Sequence, residues 1–540
     1  MKRIPNYLFL IIIIAIAVAL RFWQLGKVPV SPDWDEAALG YNAYSILRTG
    51  RDEYGTFLPL TLRSFDDYKP PLYAYLAIPA VAIWGLDTWV VRLPSAVMGI
   101  LAVVGTYALV RELFGRTLFA SRLALVASFL LAISPWHLQF SRIAFEANIG
   151  ITLNIWAVTF FLWGLRRPSF MGFSAFLFGL GLYAYHSERI FLPLLITLLA
   201  IIFWRELWLN KKALVLGIVI GALTAAPLVP VFLSQNTLMR LRGTSPLADQ
   251  TGLLAQSVRK LEEDQARGNP WGVIFDNRRI VWAKTILEGY LSHYSLRWLF
   301  LTGDNDRHHA PDTGLLYLWE LPFLFWGLFV TARKGGRLAR ILLGWFLLAP
   351  IPASPTSELP HAIRTLIFLP TFQIFVSWGL LSAYQLIQRK STWLVKGLVG
   401  VVLLFIALNI GQYFDLYFRH TNREFSRFWQ YGYKEAVEYA QKNRAKYRKI
   451  VVSTKLEQPH MFFLYFTRYD PAKYLAEGGT ASGGFAEAHN RFDIYEFRPI
   501  NWDKEPHDHN VLYIGTVNEI MHPLTTINYL DNTIAISIGE

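Results

Sequence analysis

The sequence contains no cysteine. This excludes disulfides, thiolate chemistry and cysteine-ligated metal, and leaves open which compartment its loops occupy. It is also poor in charge: 17% of its 540 residues are Asp, Glu, Lys or Arg, against 53% hydrophobic, and the mean hydropathy is +0.30. A soluble chain of this length spreads its apolar residues in helical or strand periods. Here uncharged runs such as residues 8–20 and 213–233 recur instead, as expected of spanning helices. Heptads, low-complexity tracts and solenoid periods are missing too, which removes coiled coils and repeat arrays. The net charge of +13 does not indicate a nucleic-acid partner, because Lys and Arg fall in short clusters between apolar runs rather than along one basic face.

Those clusters set the expected topology. Lys2/Arg3, Arg111/Arg116/Arg122, Arg166/Arg167, Arg205/Lys211/Lys212, Arg333/Lys334/Arg337/Arg340 and Arg389/Lys390/Lys396 mark cytoplasmic loops by the positive-inside rule. Spans near 5–22, 92–114, 121–137, 143–165, 171–187, 189–205, 211–233, 315–332, 338–352, 363–388 and 394–413 satisfy the alternation. The N-terminus is then inside and the C-terminus outside. The first helix is expected to remain uncleaved, because Arg21-Phe22-Trp23 stands where a small-residue cleavage site belongs. A further apolar stretch, 71–86, is short and carries Pro79; it breaks the parity if it crosses, and is expected to lie in or dip into the outer leaflet. Beyond Gly411 the apolar runs stop. Residues 421–540 mix a helical pattern over 433–443 with strand-like runs at Ile450-Val451-Val452 and Val511-Leu512-Tyr513-Ile514. The expectation is an α-helical polytopic membrane protein with about 11–13 transmembrane helices. Residues 1–413 form the membrane domain, with a first outer loop at 23–91 and a long outer loop at 234–314, and 421–540 form a small extracytoplasmic α/β domain.

Directly after the first span comes Ser31-Pro32-Asp33-Trp34-Asp35-Glu36-Ala37, three carboxylates in four residues at a membrane surface. Crowded acids partly removed from water acquire raised or coupled pKa values, as a catalytic base requires. The plainer reading is a turn whose acids lead a helix starting near Ala37. Further on, Asp66-Asp67-Tyr68-Lys69-Pro70-Pro71-Leu72 sets a cation before the 71–86 stretch. That Lys either meets a lipid phosphate or snorkels from a helix end.

Asp35-Glu36 after a first transmembrane helix, Lys69-Pro70-Pro71-Leu72 some thirty residues on, and Arg92-Leu93-Pro94-Ser95-Ala96 opening the next span resemble glycosyltransferase family 39 and its relatives. These include the protein O-mannosyltransferases and the bacterial lipid A aminoarabinose transferases. The resemblance covers about residues 5–240 by motif order and implies the GT-C fold, a polyprenyl-phosphate sugar donor and inverting transfer at the outer membrane face. Protein O-mannosyltransferases usually carry His where this chain has Lys69, so the aminoarabinose-transferase branch resembles it more closely there. By the same resemblance Asp35 matches the acidic position that serves as base, Glu36 is its partner, and Lys69 matches the position that contacts phosphate, with Arg92 a further substrate-binding residue.

Sugar transfer from a phosphate carrier needs a base, positive charge on the leaving phosphate and support for an oxocarbenium-like centre. Other outer-side groups are expected to help: Arg142 and Glu146; Tyr183, Tyr185, His186, Glu188 and Arg189; and His361 with Arg364. Arg suits bidentate phosphate contact, although an Arg at a helix end also pairs with a neighbouring acid, as Glu188 with Arg189. Arg189, His361 and Arg364 are taken as substrate-binding. Gly303-Asp304-Asn305-Asp306-Arg307-His308-His309 reads as a polar loop over an acceptor channel rather than a metal site, since adjacent His residues do not share a helical face. No metal ligand is assigned, and a divalent cation stays open as cofactor. The expected partners are a polyprenyl-phosphate-linked sugar, an acceptor that is a lipid, glycan or protein, and the bilayer. The competing reading is a polytopic transporter or flippase of a lipid-linked sugar, which favours midplane sites on broken helices and internal repeats. Here the charges cluster at outer helix ends.

Overall fold

The computed structural model describes residues 6–65, 67–115, 117–234, 250–388, 393–481 and 490–540. Asp66, residues 235–249 of the long loop, and Lys2, Arg3, Arg116, Arg389 and Lys390 of the basic clusters lie outside the described residues.

Among the described residues five helical stretches are long and apolar enough to cross a membrane: Thr88–Phe114, Ala147–Gly164, Lys211–Phe232, Leu366–Gln388 and Trp393–Glu424. Asn6–Phe22, Leu72–Trp84, Leu118–Ile133 and Pro168–Gly181 are shorter apolar helices. Lys211–Phe232 and Trp393–Glu424 have almost none of their apolar surface covered by protein, which suits hydrocarbon contact and not water. The chain is a multi-pass membrane protein. Leu72–Trp84, the helix within the 71–86 stretch, has 13 residues and rises only about 20 Å, short of a hydrocarbon core of about 30 Å.

The chain divides into two compact units, each discontinuous in sequence. The first comprises Met1–Ala17, Leu101–His137 and Ile149–Ile410. In it helix Glu320–Lys334 packs closely against Thr371–Gln388. Gly327 and Gly379 make the approach possible: an added Cβ on Gly327 would sit 1.9 Å from the Phe375 carbonyl oxygen, and one on Gly379 2.0 Å from that of Phe323. Small residues let backbones touch where lipid supplies no hydrophobic drive between helices.

The second unit comprises Val18–Ile100, Leu138–Asn148 and Gly411–Glu540. It joins most of the expected first outer loop to the C-terminal segment, so the compact units do not follow the sequence division at 413–421. The reason is specific long-range packing: the Tyr41 hydroxyl donates to the Tyr469 carbonyl, the Tyr41 ring meets Tyr474 edge-on, and the Thr480 hydroxyl donates to the buried Glu53 carboxylate at 2.7 Å. In the N-terminal part a two-stranded hairpin forms from β1 (Leu62–Ser64) and β2 (Asp67–Lys69), with Leu62 opposite Lys69. The C-terminal part is the expected α/β fold. Its strands are β3 (Lys449–Val452), β4 (Arg491–Phe492), β5 (Tyr495–Phe497), β6 (Val511–Gly515), β7 (Thr525–Asn528) and β8 (Ile534–Gly539), in the order β4-β5-β3-β6-β8-β7. β3 runs parallel to β5 and β6, and the other pairs are antiparallel. Buried Val451, Tyr513 and Ile520 centre one of its cores.

Candidate functional site

The Ser31–Ala37 motif is a helix start. Asp33 is the N-cap of helix Trp34–Thr49 and forms a capping box with Glu36: its side chain accepts from the Glu36 N–H while Glu36 accepts from the Asp33 N–H. Two orphan donors of the first turn are thereby satisfied. The helix begins at Trp34, three residues before the sequence suggested.

The two neighbouring carboxylates have opposite environments. Glu36 is 1% exposed and receives Arg92 Nε and Nη2 at 2.8 Å each and the Ala144 N–H at 2.7 Å. Arg92 gives its other N–H groups to the carbonyls of Leu25, Pro29 and Ser31. All five of its donors are therefore engaged within the protein. Asp35, by contrast, is 28% exposed and pairs with the Lys69 ammonium at the end of β2. Burial alone would lower the Lys69 pKa, but Asp35 and then Glu146 and Asp67 outweigh it and hold the ammonium above its ordinary value. The Asp35–Lys69 pair is thus partly open to its surroundings, and the Glu36–Arg92 pair is sealed beside it.

Arg142 belongs to the same unit. It donates to the carbonyls of Leu20, Arg21, Gln24 and Val28 and lies over the rings of Tyr417 and Phe418, closing the C-terminal end of the first helix, whose last carbonyls lack helical partners. Ser95, from the Arg92–Ala96 motif, ties Phe140 and Asn148 to its helix.

The first unit holds a separate polar cluster. Asp304 Oδ2 accepts from the Ala362 N–H at 2.7 Å, lies 2.9 Å from His308 Nδ1 and 3.9 Å from His361 Nδ1. Burial alone would raise the Asp304 carboxyl, but His308, His361 and the Ala362 N–H hold it down at about 2. Burial, with His308 and Arg364 nearby, pushes the His361 imidazole well below its usual range. His293, which the sequence did not single out, donates from Nδ1 to the Gly289 carbonyl and accepts the His361 N–H at Nε2. Burial lowers it to about 4. A cavity of about 730 Å³ borders the cluster, lined in part by Arg297, Trp298, Asp304, Glu358 and His361.

Arg364 donates to Thr356 Oγ1 and the Ser357 carbonyl, and its own carbonyl accepts from Ser187 Oγ. Arg189 donates to the Leu182 carbonyl, sits against His186 and lies over Phe232. Glu188 does not pair with Arg189. It accepts Asn154 Nδ2 with both oxygens at 2.9 Å, at a point where an added Cβ on Gly150 would collide with it. His308 and His309 also part company: His309 Nδ1 faces the Ala310 carbonyl while His308 turns to Asp304. The second imidazole beside Asp304 comes from His361 and not from the adjacent His309. His361 and Asp304 stand 57 positions apart, and no local spacing connects them.

Residues 68–230 match the family described as dolichyl-phosphate-mannose-protein mannosyltransferase. The structure is similar to that of ArnT from Cupriavidus metallidurans, with a TM-score of 0.54 at 13% identity, covering 98% of this chain and 97% of that one. It carries the GT-C fold. The oligosaccharyltransferase of Archaeoglobus fulgidus is similar at a TM-score of 0.51 and 15% identity over 86% of this chain. This chain spans 64% of that protein's length. No curated protein sequence matches the chain. The fold expected from the resemblance is the fold observed, and residues 68–230, which include Lys69-Pro70-Pro71-Leu72 and Arg92 to Ala96, match the mannosyltransferase family model.

Proposed function

We propose that the protein transfers a sugar from a polyprenyl-phosphate carrier to an acceptor hydroxyl at the non-cytoplasmic membrane face, with inversion. The observation that carries this reading is the partly exposed Asp35–Lys69 ion pair beside the sealed Glu36–Arg92 pair. Asp35 takes the proton of the acceptor hydroxyl as the acceptor oxygen bonds to the anomeric carbon. The bond from that carbon to the carrier phosphate breaks, and Lys69 meets the negative charge that develops on the leaving polyprenyl phosphate. One displacement inverts the anomeric centre. Glu36 is the orienting partner of Asp35, fixing the first turn of the helix that presents it. Arg92, with every N–H spent on protein oxygens, serves the site by positioning Glu36 and not by touching substrate. Arg189, His361 and Arg364, the other substrate-binding candidates of the sequence, belong to the first unit and have no part in this step. The lipid carrier is supported by the similar ArnT, solved with undecaprenyl phosphate bound, at a TM-score of 0.53 and 13% identity. The sugar is a hexose or pentose, and residues 421–540 lie outside the cytoplasm.

The test is release of polyprenyl phosphate from a panel of radiolabelled polyprenyl-phosphate sugars by the purified protein, with membrane extract as acceptor. Turnover of one donor is expected. Absence of release from every donor, together with movement of a lipid-linked sugar across vesicles, would replace the reading with a flippase.

A further inference from the structure

The sugar-transfer reading leaves the chemistry around Asp304 unused. One carboxylate and two imidazoles, from Asp304, His308 and His361, present ligand atoms that all lie within 4.8 Å of one another. A tetrahedral zinc ion with bonds of about 2.0–2.2 Å separates its ligand atoms by about 3.3 Å. The 2.9 Å from Asp304 Oδ2 to His308 and the 3.9 Å to His361 bracket that value. The carboxylate is also held in place, because Oδ2 accepts the Ala362 N–H at 2.7 Å, the kind of contact that orients a ligand.

Hydrogen bonding within the protein does not account for the cluster. Asp304 Oδ1 and His361 Nδ1 are both buried without a hydrogen-bond partner. Buried polar atoms are rarely left so. An ion pair between Asp304 and His308 through Oδ2 satisfies neither of them, whereas a cation held by both carboxylate oxygens and the two rings satisfies both. We propose that Asp304, His308 and His361 form a binding site for a divalent transition metal of the zinc class, joining the 303–309 loop to the segment that opens at Pro360. Two imidazoles with one carboxylate select zinc or cobalt over magnesium or calcium, which take oxygen sets. Three protein ligands leave a fourth position for water or a substrate oxygen, and Asp304 and His361 both line the 730 Å³ cavity. The proposal does not depend on the identity of the sugar or on Asp35.

The experiment uses the full chain in detergent, stripped with a chelator, dialysed and titrated with Zn²⁺ by calorimetry and with Co²⁺ by visible absorption. One equivalent of Zn²⁺ is expected per chain, with the intense Co²⁺ bands of a four-coordinate site. Asp304→Asn and His361→Gln should each weaken Zn²⁺ binding by at least about a hundredfold, the upper end of what an outer-contact loss produces, while His309→Gln leaves it unchanged. Failure of the wild type to bind stoichiometric Zn²⁺, or equal binding by both ligand variants, would overturn the site. If a variant does not fold, the wild-type Co²⁺ spectrum decides: intense bands uphold the site and their absence removes it.

Discussion

Arg92 and Glu36 lock together through two parallel bonds of 2.8 Å, and the remaining three donors of Arg92 hold the carbonyls of Leu25, Pro29 and Ser31. A guanidinium engaged on every side fixes backbone and cannot also grip a phosphate. Arg92→Met would strand a carboxylate that is 1% exposed. The expected loss is about 3–5 kcal/mol of stability, read as a fall in thermal midpoint in detergent. A variant with an unchanged midpoint but weaker donor binding would mean that Arg92 touches substrate after all.

Lys69 supports a different expectation, because its partner is reachable. Lys69→Met should leave the fold assembled and raise the KM for donor or lower kcat by about a hundredfold or more, as loss of a group that meets developing charge does. The pH dependence follows from the raised pKa of Lys69. A cation whose folded pKa lies above the unfolded value of 10.5 contributes stability that is fully present below 10.5 and lost as pH rises through the folded value. The stability difference between wild type and Lys69→Met should therefore hold through neutral pH and shrink only above about pH 10.5. A difference that vanished near pH 8 would contradict the Asp35–Lys69 pair.

Gly327 tests helix packing in the first unit. Its added Cβ would meet backbone oxygen at 1.9 Å, not a side-chain tip that can swing away. Gly327→Ala should destabilise by about 1–3 kcal/mol, whereas Gly397→Ala, where nothing lies within 4 Å, should be neutral or better. Equal midpoints for the two variants would show that the helices do not depend on that approach.

Arg142→Leu should destabilise the second unit, since the carbonyls of Leu20, Arg21 and Val28 lose the Arg142 donor, while Gln24 keeps the Lys27 and Val28 N–H groups. Hydrogen bonds to a charged group are worth about 1.5–3 kcal/mol each, and buried acceptors left bare add to the loss. Thermal unfolding with Arg142→Lys as companion checks this: Lys, with three donors on a single point charge, should recover part of the loss. A full recovery would show that charge alone matters.

The membrane class was legible because the lipid-facing helices hold long apolar windows, as Lys211–Phe232 and Trp393–Glu424 do. The α/β segment was legible because strand-like Ile450 to Val452 and Val511 to Ile514 are buried runs. Partnership was not. Tyr41 and Tyr474 lie 433 positions apart, yet their contact helps place the first loop and the C-terminal sheet in one compact unit. At the candidate site the residue types were readable and their commitments were not. Asp35 and Glu36 look alike in sequence, and only the capping box and Arg92 separate the sealed acid from the exposed one. The same holds for Glu188, whose partner is Asn154 one membrane helix away and not the neighbouring Arg189.

Asp35 as the base of a lipid-linked sugar transfer is tested by the rate of polyprenyl phosphate release by Asp35→Asn beside wild type at saturating donor. Loss of a general base should reduce the rate by about 10² to 10⁴, with the fold kept assembled because Asp35 is partly exposed and Glu36 still closes the capping box. Equal rates for the two proteins would contradict the assignment and remove Asp35 from the chemistry.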